Sequence, residues 1–240
     1  MTNRVSKLHA LTFLCFFMVL IPTETKAKEQ INARFDNAFV NLPHPDDYCI
    51  LGGTPLEDKL LKWQTHALLK SNNKVLAMWI GCEDKQKLMN GESLEYMSKW
   101  LIVNGILLGE NATERAYPSY DPEEFKRVMA GDFDLDTVIK KTKQAITDAN
   151  IKYLNDKDAV TIGRPIDLGV LSITDSVHKG LIIRVSAGSE SRTIAAVASF
   201  ILINGIPVGF HFYSSYENKK TIKNLLSESE HYSAKLVHSN

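Results

Sequence analysis

Apolar residues along this chain change their spacing several times, and each change marks an element. From Thr54 the period is helical: Leu56, Leu60, Trp63 and Ala67 share one face, with Leu61 and Leu68 one position round. Thr54 can cap this helix, Pro55 suits the first helical position, and Glu57 completes a capping box. The helix is expected to reach about Lys70 and stop at Ser71-Asn72-Asn73. Leu135, Val138, Ile139, Thr142, Ile146 and Ala149 keep the same spacing over 135–149. Shorter helices are expected at 83–89 and 122–130. A last helix over about 219–237 buries Ile222, Leu225, Leu226, Tyr232 and Leu236.

Between the helices the pattern becomes that of strands, expected at 39–42, 48–51, 75–82, 96–103, 167–174, 180–186, 193–203 and 206–213. Residues 28–37 are polar and read as a loose lead-in. Asn204-Gly205 is a hairpin turn dipeptide. On the return strand Ile206, Val208, Phe210 and Phe212 alternate onto one face, and His211 falls on the other, expected to be exposed. Pro207 lacks a donor, which places this strand at an edge or a bulge.

Two stretches match. Trp100 to Gly109 (WLIVNGILLG) aligns with Phe200 to Gly209 (FILINGIPVG), and downstream Tyr117-Pro-Ser-Tyr120-Asp echoes Tyr213-Ser-Ser-Tyr216-Glu. Each half then reads as strand, Asn-Gly turn, strand, Tyr-x-Ser-Tyr-acid, helix, with boundaries at 28–150 and 151–240 inside one compact unit. The irregular alternation with antiparallel hairpins makes the fold class α+β: mainly antiparallel sheet with packed helices, in two related halves. The order of hairpins with a closing C-terminal helix resembles the layered sandwiches of the Mog1/PsbP type, a likeness of fold that implies no activity.

The first 27 residues change the setting. Arg4 and Lys7 precede an apolar run from Ala10 to Ile21. Pro22 breaks it, and Thr25-Lys26-Ala27 offers a small-x-small cleavage site. This is the layout of a secretory signal peptide. As a helix the run covers roughly 18 Å, against about 30 Å of bilayer hydrocarbon, so no stable span is expected after cleavage. The protein is expected in the periplasm or secreted. Loss of Arg4, Lys7, Lys26 and Glu24 turns 28 basic and 28 acidic residues into 25 and 27, a net charge of −2. Such a chain lacks the basic field that nucleic acid binding requires. Cys15 leaves with the signal. Cys49 and Cys82 remain, 33 residues apart. In an oxidising compartment an isolated pair reads as a disulfide, contributing roughly 3–4 kcal/mol by loop closure. The competing reading is a catalytic Cys49 thiol beside His44.

No motif names a reaction, a metal or a cofactor. Ser176-Val-His-Lys179 and Ser71-Asn-Asn-Lys74 both fit a serine–lysine pattern, and two hits without companion motifs show how little it specifies. His44, Asp46, Asp47 and Tyr48 form a dense polar cluster that reads as a solvated loop rather than an ion site. The candidate binding residues are Tyr117, Tyr120, Tyr213 and Tyr216, because tyrosine joins a large apolar face to a hydroxyl. The expectation is a non-catalytic binding or accessory protein of the bacterial envelope, its partner a protein or small molecule. The alternatives are a secreted hydrolase and a host-directed effector. Thiol titration checks the cysteine reading: the mature protein should show no alkylatable cysteine until it is reduced, and two without reductant refute the disulfide.

Overall fold

The computed structural model describes residues 30–35, 38–69, 73–92, 97–106, 121–132 and 134–240. Residues 1–27, expected to be a signal peptide, and Ser71, Tyr117 and Tyr120 lie outside them. In chain order the elements are β1 (Ile31–Phe35), β2 (Ala38–Leu42), β3 (Tyr48–Ile50), α1 (Pro55–Leu69), β4 (Asn73–Gly81), α2 (Cys82–Met89), β5 (Lys99–Ile106), α3 (Pro122–Ala130) and α4 (Leu135–Leu154). There follow β6 (Val160–Ile162), β7 (Ile166–Ile173), β8 (Val177–Ala187), β9 (Glu190–Ile203), β10 (Ile206–Ser215) and α5 (Lys219–His238). The fold is α+β.

β1 and β2 pair as a separate hairpin. The other strands form one antiparallel sheet in the order β3-β4-β5-β10-β9-β8, with β6 and β7 both paired to β8. Strands before and after residue 150 therefore share a single sheet.

The alternation of side chains sends the middle strands' apolar residues to both faces. On one face Trp79, Leu101, Val103, Val197, Val208, Phe210 and Phe212 pack against Leu225, Tyr232 and Leu236 of α5, and against Phe35, Val40 and Leu42 of the small hairpin. On the other face Met78, Ile80 and Ile102 meet Leu60, Leu61 and Leu68 of α1, while Phe125 and Met129 of α3 cover Val177 beside Phe200 and Leu202. α4 packs on α1 and β6, where Asn150 accepts from the Trp63 indole at 2.9 Å and donates to the carbonyls of Lys157 and Val160. The small hairpin and the end of α5 are clasped by Asn41 and Asn240: the Asn41 amide donates to Asn240 Oδ1, and Asn240 Nδ2 donates to the Asn41 carbonyl, both at 2.9 Å.

Cys49 and Cys82 are bonded, joining β3 to the start of α2. Thr54 caps α1, its hydroxyl accepting from the Glu57 amide at 3.3 Å. The Glu57 carboxylate does not close the capping box. It is fully buried against the Lys85 ammonium, an ion pair that holds α1 to α2.

Several expectations need correction. The polar lead-in contains β1, whose Ala33 and Phe35 are buried; two inward residues were enough, because the hairpin is a lid and only its inner face needs to be apolar. β10 is a central strand, not an edge. Ile203 and Ile206 close the turn, so the Pro207 nitrogen points away from β9, and the ladder with β5 starts only at Val208↔Gly105. Asn204 and Gly205 make the expected turn, with φ of 50° and 79°. Asn104 and Gly105 instead lie inside β5, where buried Asn104 donates to Asn73 Oδ1 at 2.7 Å.

Gly105 is where β1 lands on the sheet. A Cβ there would collide with the Phe35 ring, and a core that cannot yield loses stability to overpacking. Gly105→Ala should lower the stability measured by urea denaturation by about 1–3 kcal/mol, and Phe35→Ala in the same background should recover part of that loss.

Candidate functional site

β10 ends and α5 begins at the second Tyr-x-Ser-Tyr-acid stretch, and this corner is pinned from three sides. The Ser215 amide and the Ser214 hydroxyl donate to the Ser98 carbonyl at 3.3 and 3.2 Å, and the Tyr216 amide donates to the Thr193 carbonyl at 2.8 Å. Asn218 caps α5, accepting from the Lys220 amide at 2.8 Å. The Thr221 hydroxyl accepts from the Glu217 amide at 3.3 Å. With the corner fixed, Thr221, Asn224 and Glu228 fall on one side of the helix, at the spacing of successive turns. They and Leu225 face Lys99, Ser214, Ser215 and Glu217 across an open cavity of about 200 Å³.

Charge organises the cavity wall. The Lys99 ammonium lies 4.4 Å from the centre of the Tyr48 ring, a cation–π contact. The Tyr48 hydroxyl donates to Glu228 Oε2 at 2.8 Å. Burial raises the Tyr48 phenol well above its ordinary value, and the Glu228 and Asp47 carboxylates push it the same way, so it stays a donor. Glu228 also lines a smaller cavity of about 40 Å³, with Asp46, His231 and Lys235. There Lys235 Nζ donates to Asp46 Oδ2 at 2.6 Å and His231 Nε2 stands 3.4 Å from it. α5 thus carries Glu228, His231 and Lys235 along one side, facing the loop before β3.

The motif reaches this site through the two serines between its tyrosines and the acid that follows them. Ser214, Ser215 and Glu217 line the larger cavity. Tyr216 packs against the core on the α5 face of the sheet, as Ile222 and Leu226 do. Tyr213 points to the opposite face and stacks on Trp100, ring centres 4.8 Å apart and planes 7° off parallel. Burial raises its phenol to about 12. The structure therefore separates Tyr213 from Tyr216 by the thickness of the sheet.

The remaining candidates fall elsewhere. His44 Nδ1 lies 2.7 Å from the Pro45 carbonyl, and the disulfide leaves no Cys49 thiol. Asp46 and Asp47 are exposed to solvent as expected, while Asp46 also bonds α5 and Tyr48 is buried, so the loop is solvated on one side and pinned on the other. Ser176 contacts Ser233, while Lys179 Nζ donates to the Gly131 carbonyl at 2.6 Å; the serine–lysine pattern joins two different elements. Among the described residues no group of three His, Cys, Asp or Glu is placed to hold a metal ion. His178 is fully buried, with Nδ1 2.8 Å from Ser199 Oγ and 3.1 Å from Ser229 Oγ. This serine–histidine contact is sealed between β8, β9 and α5. His211, expected in solvent, is half-buried between the rings of Phe200 and Tyr213. The face opposite Phe210 and Phe212 is itself covered by helices, so alternation no longer means exposure.

No family model, curated protein or solved structure matches this chain. The reading of the corner cavity therefore rests on its own residues. Lys99, Thr221, Asn224 and Glu228 carry no recognisable motif. For the three on α5 the one signal in the sequence is the polar row 221, 224, 228, 231 and 235, one helical turn apart, beside the buried face of α5; Lys99, on β5, has none.

Burial pushes the His211 imidazole from its ordinary 6.5 down to about 4, and lowers His178 too, with Glu230 pulling His178 back up. Both rings are neutral in the fold. The unfolded chain takes up protons first as pH falls below 6.5, so stability should fall with pH from 6.5 towards 4. Urea midpoints across this window check it. A flat profile contradicts the burial of these rings, and His211→Gln should make the fall shallower.

Proposed function

We propose that this is an exported, non-catalytic binding or accessory protein of the bacterial envelope, acting in the periplasm or outside the cell, and that the β10–α5 cavity takes its ligand. The observation that carries this reading is the convergence of one ammonium (Lys99), two carboxylates (Glu217 and Glu228), three hydroxyls and one amide on a single open cavity. Ligand pockets combine shape with a few converging polar groups in this way. The volume is below the roughly 300 Å³ at which drug-sized sites begin. It suits a small polar molecule, or the end of one polar side chain presented by a partner. The exported setting is supported by the signal layout of residues 1–27 and by a disulfide of the kind that persists in oxidising compartments.

The wall is prepared for a polar guest. Glu228 is oriented by Tyr48, and Lys99 is held over the same ring. Part of the ordering cost of binding is thereby met before the ligand arrives.

Amide chemical shifts provide the test. The isotope-labelled protein is titrated with a panel of amino acids, polyamines, short carboxylic acids and monosaccharides. At least one class should move the amides of Ser214, Ser215, Thr221 and Asn224 saturably. Asn224→Phe, which fills the cavity from an exposed helix position, should abolish that response while leaving the rest of the spectrum in place. Saturable shifts that map elsewhere, or that survive Asn224→Phe, would overturn the assignment.

A further inference from the structure

The β10–α5 cavity is lined by opposite charges that do not pair with each other. Lys99 enters from the start of β5, directly across from Ser214 of β10. Glu228 enters from the middle of α5. Among the described residues neither Glu228 nor Glu217 forms an ion pair with Lys99. Tyr48 keeps the charges of Lys99 and Glu228 apart. The face of its buried ring takes the ammonium, 4.4 Å from the ring centre, and its hydroxyl donates to Glu228 Oε2 at 2.8 Å. An ammonium carries three N–H donors, and among the described residues none of those on Lys99 reaches an oxygen acceptor. Glu228 Oε1 has no partner among them either. Each charge is therefore held in position by one tyrosine with hydrogen-bonding capacity to spare, and both face the same open cavity of about 200 Å³.

This arrangement selects among ligands by sign. A simple carboxylate entering the cavity meets Glu217 and Glu228, and a simple ammonium meets Lys99. A molecule carrying both signs leaves neither charge facing its like. Because one side chain holds both Lys99 and Glu228, the two signs must sit close together on the ligand. We propose that the ligand is a free α-amino acid, with its carboxylate on the Lys99 ammonium and its own ammonium on Glu228 Oε1. This rests on the β10–α5 cavity being the ligand site. Hydrogen bonds between ionised groups are the strong ones, and here the protein's side of both is oriented beforehand. Glu217 is exposed at the rim, where an ion pair adds little. The amino acid's side chain is left among the hydroxyls of Ser215 and Thr221 and the amide of Asn224. A polar side chain can satisfy these groups and an apolar one cannot, which makes L-serine the probe of choice.

The isotope-labelled protein is titrated with L-serine, L-serinamide and N-acetyl-L-serine, followed at the amides of Ser215, Thr221 and Asn224. L-Serine should shift these amides saturably. Serinamide lacks the carboxylate and N-acetylserine lacks the ammonium, and each should bind weaker by about tenfold or more. In Lys99→Gln the advantage of serine over serinamide should vanish, and in Glu228→Gln its advantage over N-acetylserine. Each variant is read as a ratio of two ligands, which a general loosening of the fold would not move. A blocked analogue that binds the unaltered protein as tightly as serine overturns the proposal, and so do unchanged ratios in both variants. A polyamine, short carboxylic acid or monosaccharide that shifts these amides when serine does not overturns the amino acid alone and leaves the cavity as the ligand site. Serine shifts that map elsewhere count against both.

Discussion

Tyr232 touches three aromatic rings at once: Trp79 from β4, and Phe210 and Phe212 from β10, with ring centres 6.5, 5.4 and 5.8 Å away. Trp79, Phe210, Phe212 and Tyr232 are all fully buried. Each such ring removes about 150–250 Å² of surface from water, and edge-on pairs add about 0.5–1.5 kcal/mol beyond that burial. This contact fixes where α5 lies across the sheet. Once α5 is in place, its two flanks have separate work. One flank carries Glu228, His231 and Lys235 towards the loop before β3 and forms the cavity wall. The other sets Ser229 and Ser233 against Ser199 and Ser176. The corner cavity is therefore a by-product of aromatic packing, placed where the helix leaves the sheet.

The serine-lined flank shows how a polar interior can be stable without being a site. His178, Ser199 and Ser229 bond to one another and are all fully buried. Satisfied buried hydroxyls cost little, whereas an orphan left by deleting one of them would cost about 1–3 kcal/mol. A serine beside a histidine is chemistry only where a substrate can reach it. Here the contact behaves as packing that also fixes the register of α5.

Most of the element order was legible, because long periodic segments such as α1, α4 and α5 carry a strong signal. The misreadings have one cause. Alternation tells which residues share a face, but not whether that face is covered. His211 was placed correctly opposite Phe210 and wrongly in water, because α1 and α3 lie over the second face. Pro207 reads as the mark of an edge or a bulge, although the missing donor sits one residue before the ladder with β5 begins. β1 was read as loose because a lid needs only Ala33 and Phe35 inward. The Asn-Gly dipeptide makes a turn at Asn204 and continues a strand at Asn104, since a turn sequence yields to whatever its flanks must pair with. The candidate site was half legible. Its motif ends at the corner that holds the cavity, where Ser214, Ser215 and Glu217 are in the lining. Lys99 and Tyr48 come from 115 or more residues earlier in the sequence and meet the corner only through the sheet order.

The clasp between Asn41 and Asn240 spans 199 residues, and the small hairpin shares its core with α5. Translation at about 5–20 residues per second would put roughly 10–40 s between the appearance of the two sides of this contact. During that time the apolar side chains of β1 and β2, and one whole face of the sheet, have no cover. A chain so arranged cannot finish folding while it is being made. The core under the small hairpin therefore closes only once α5 has been made.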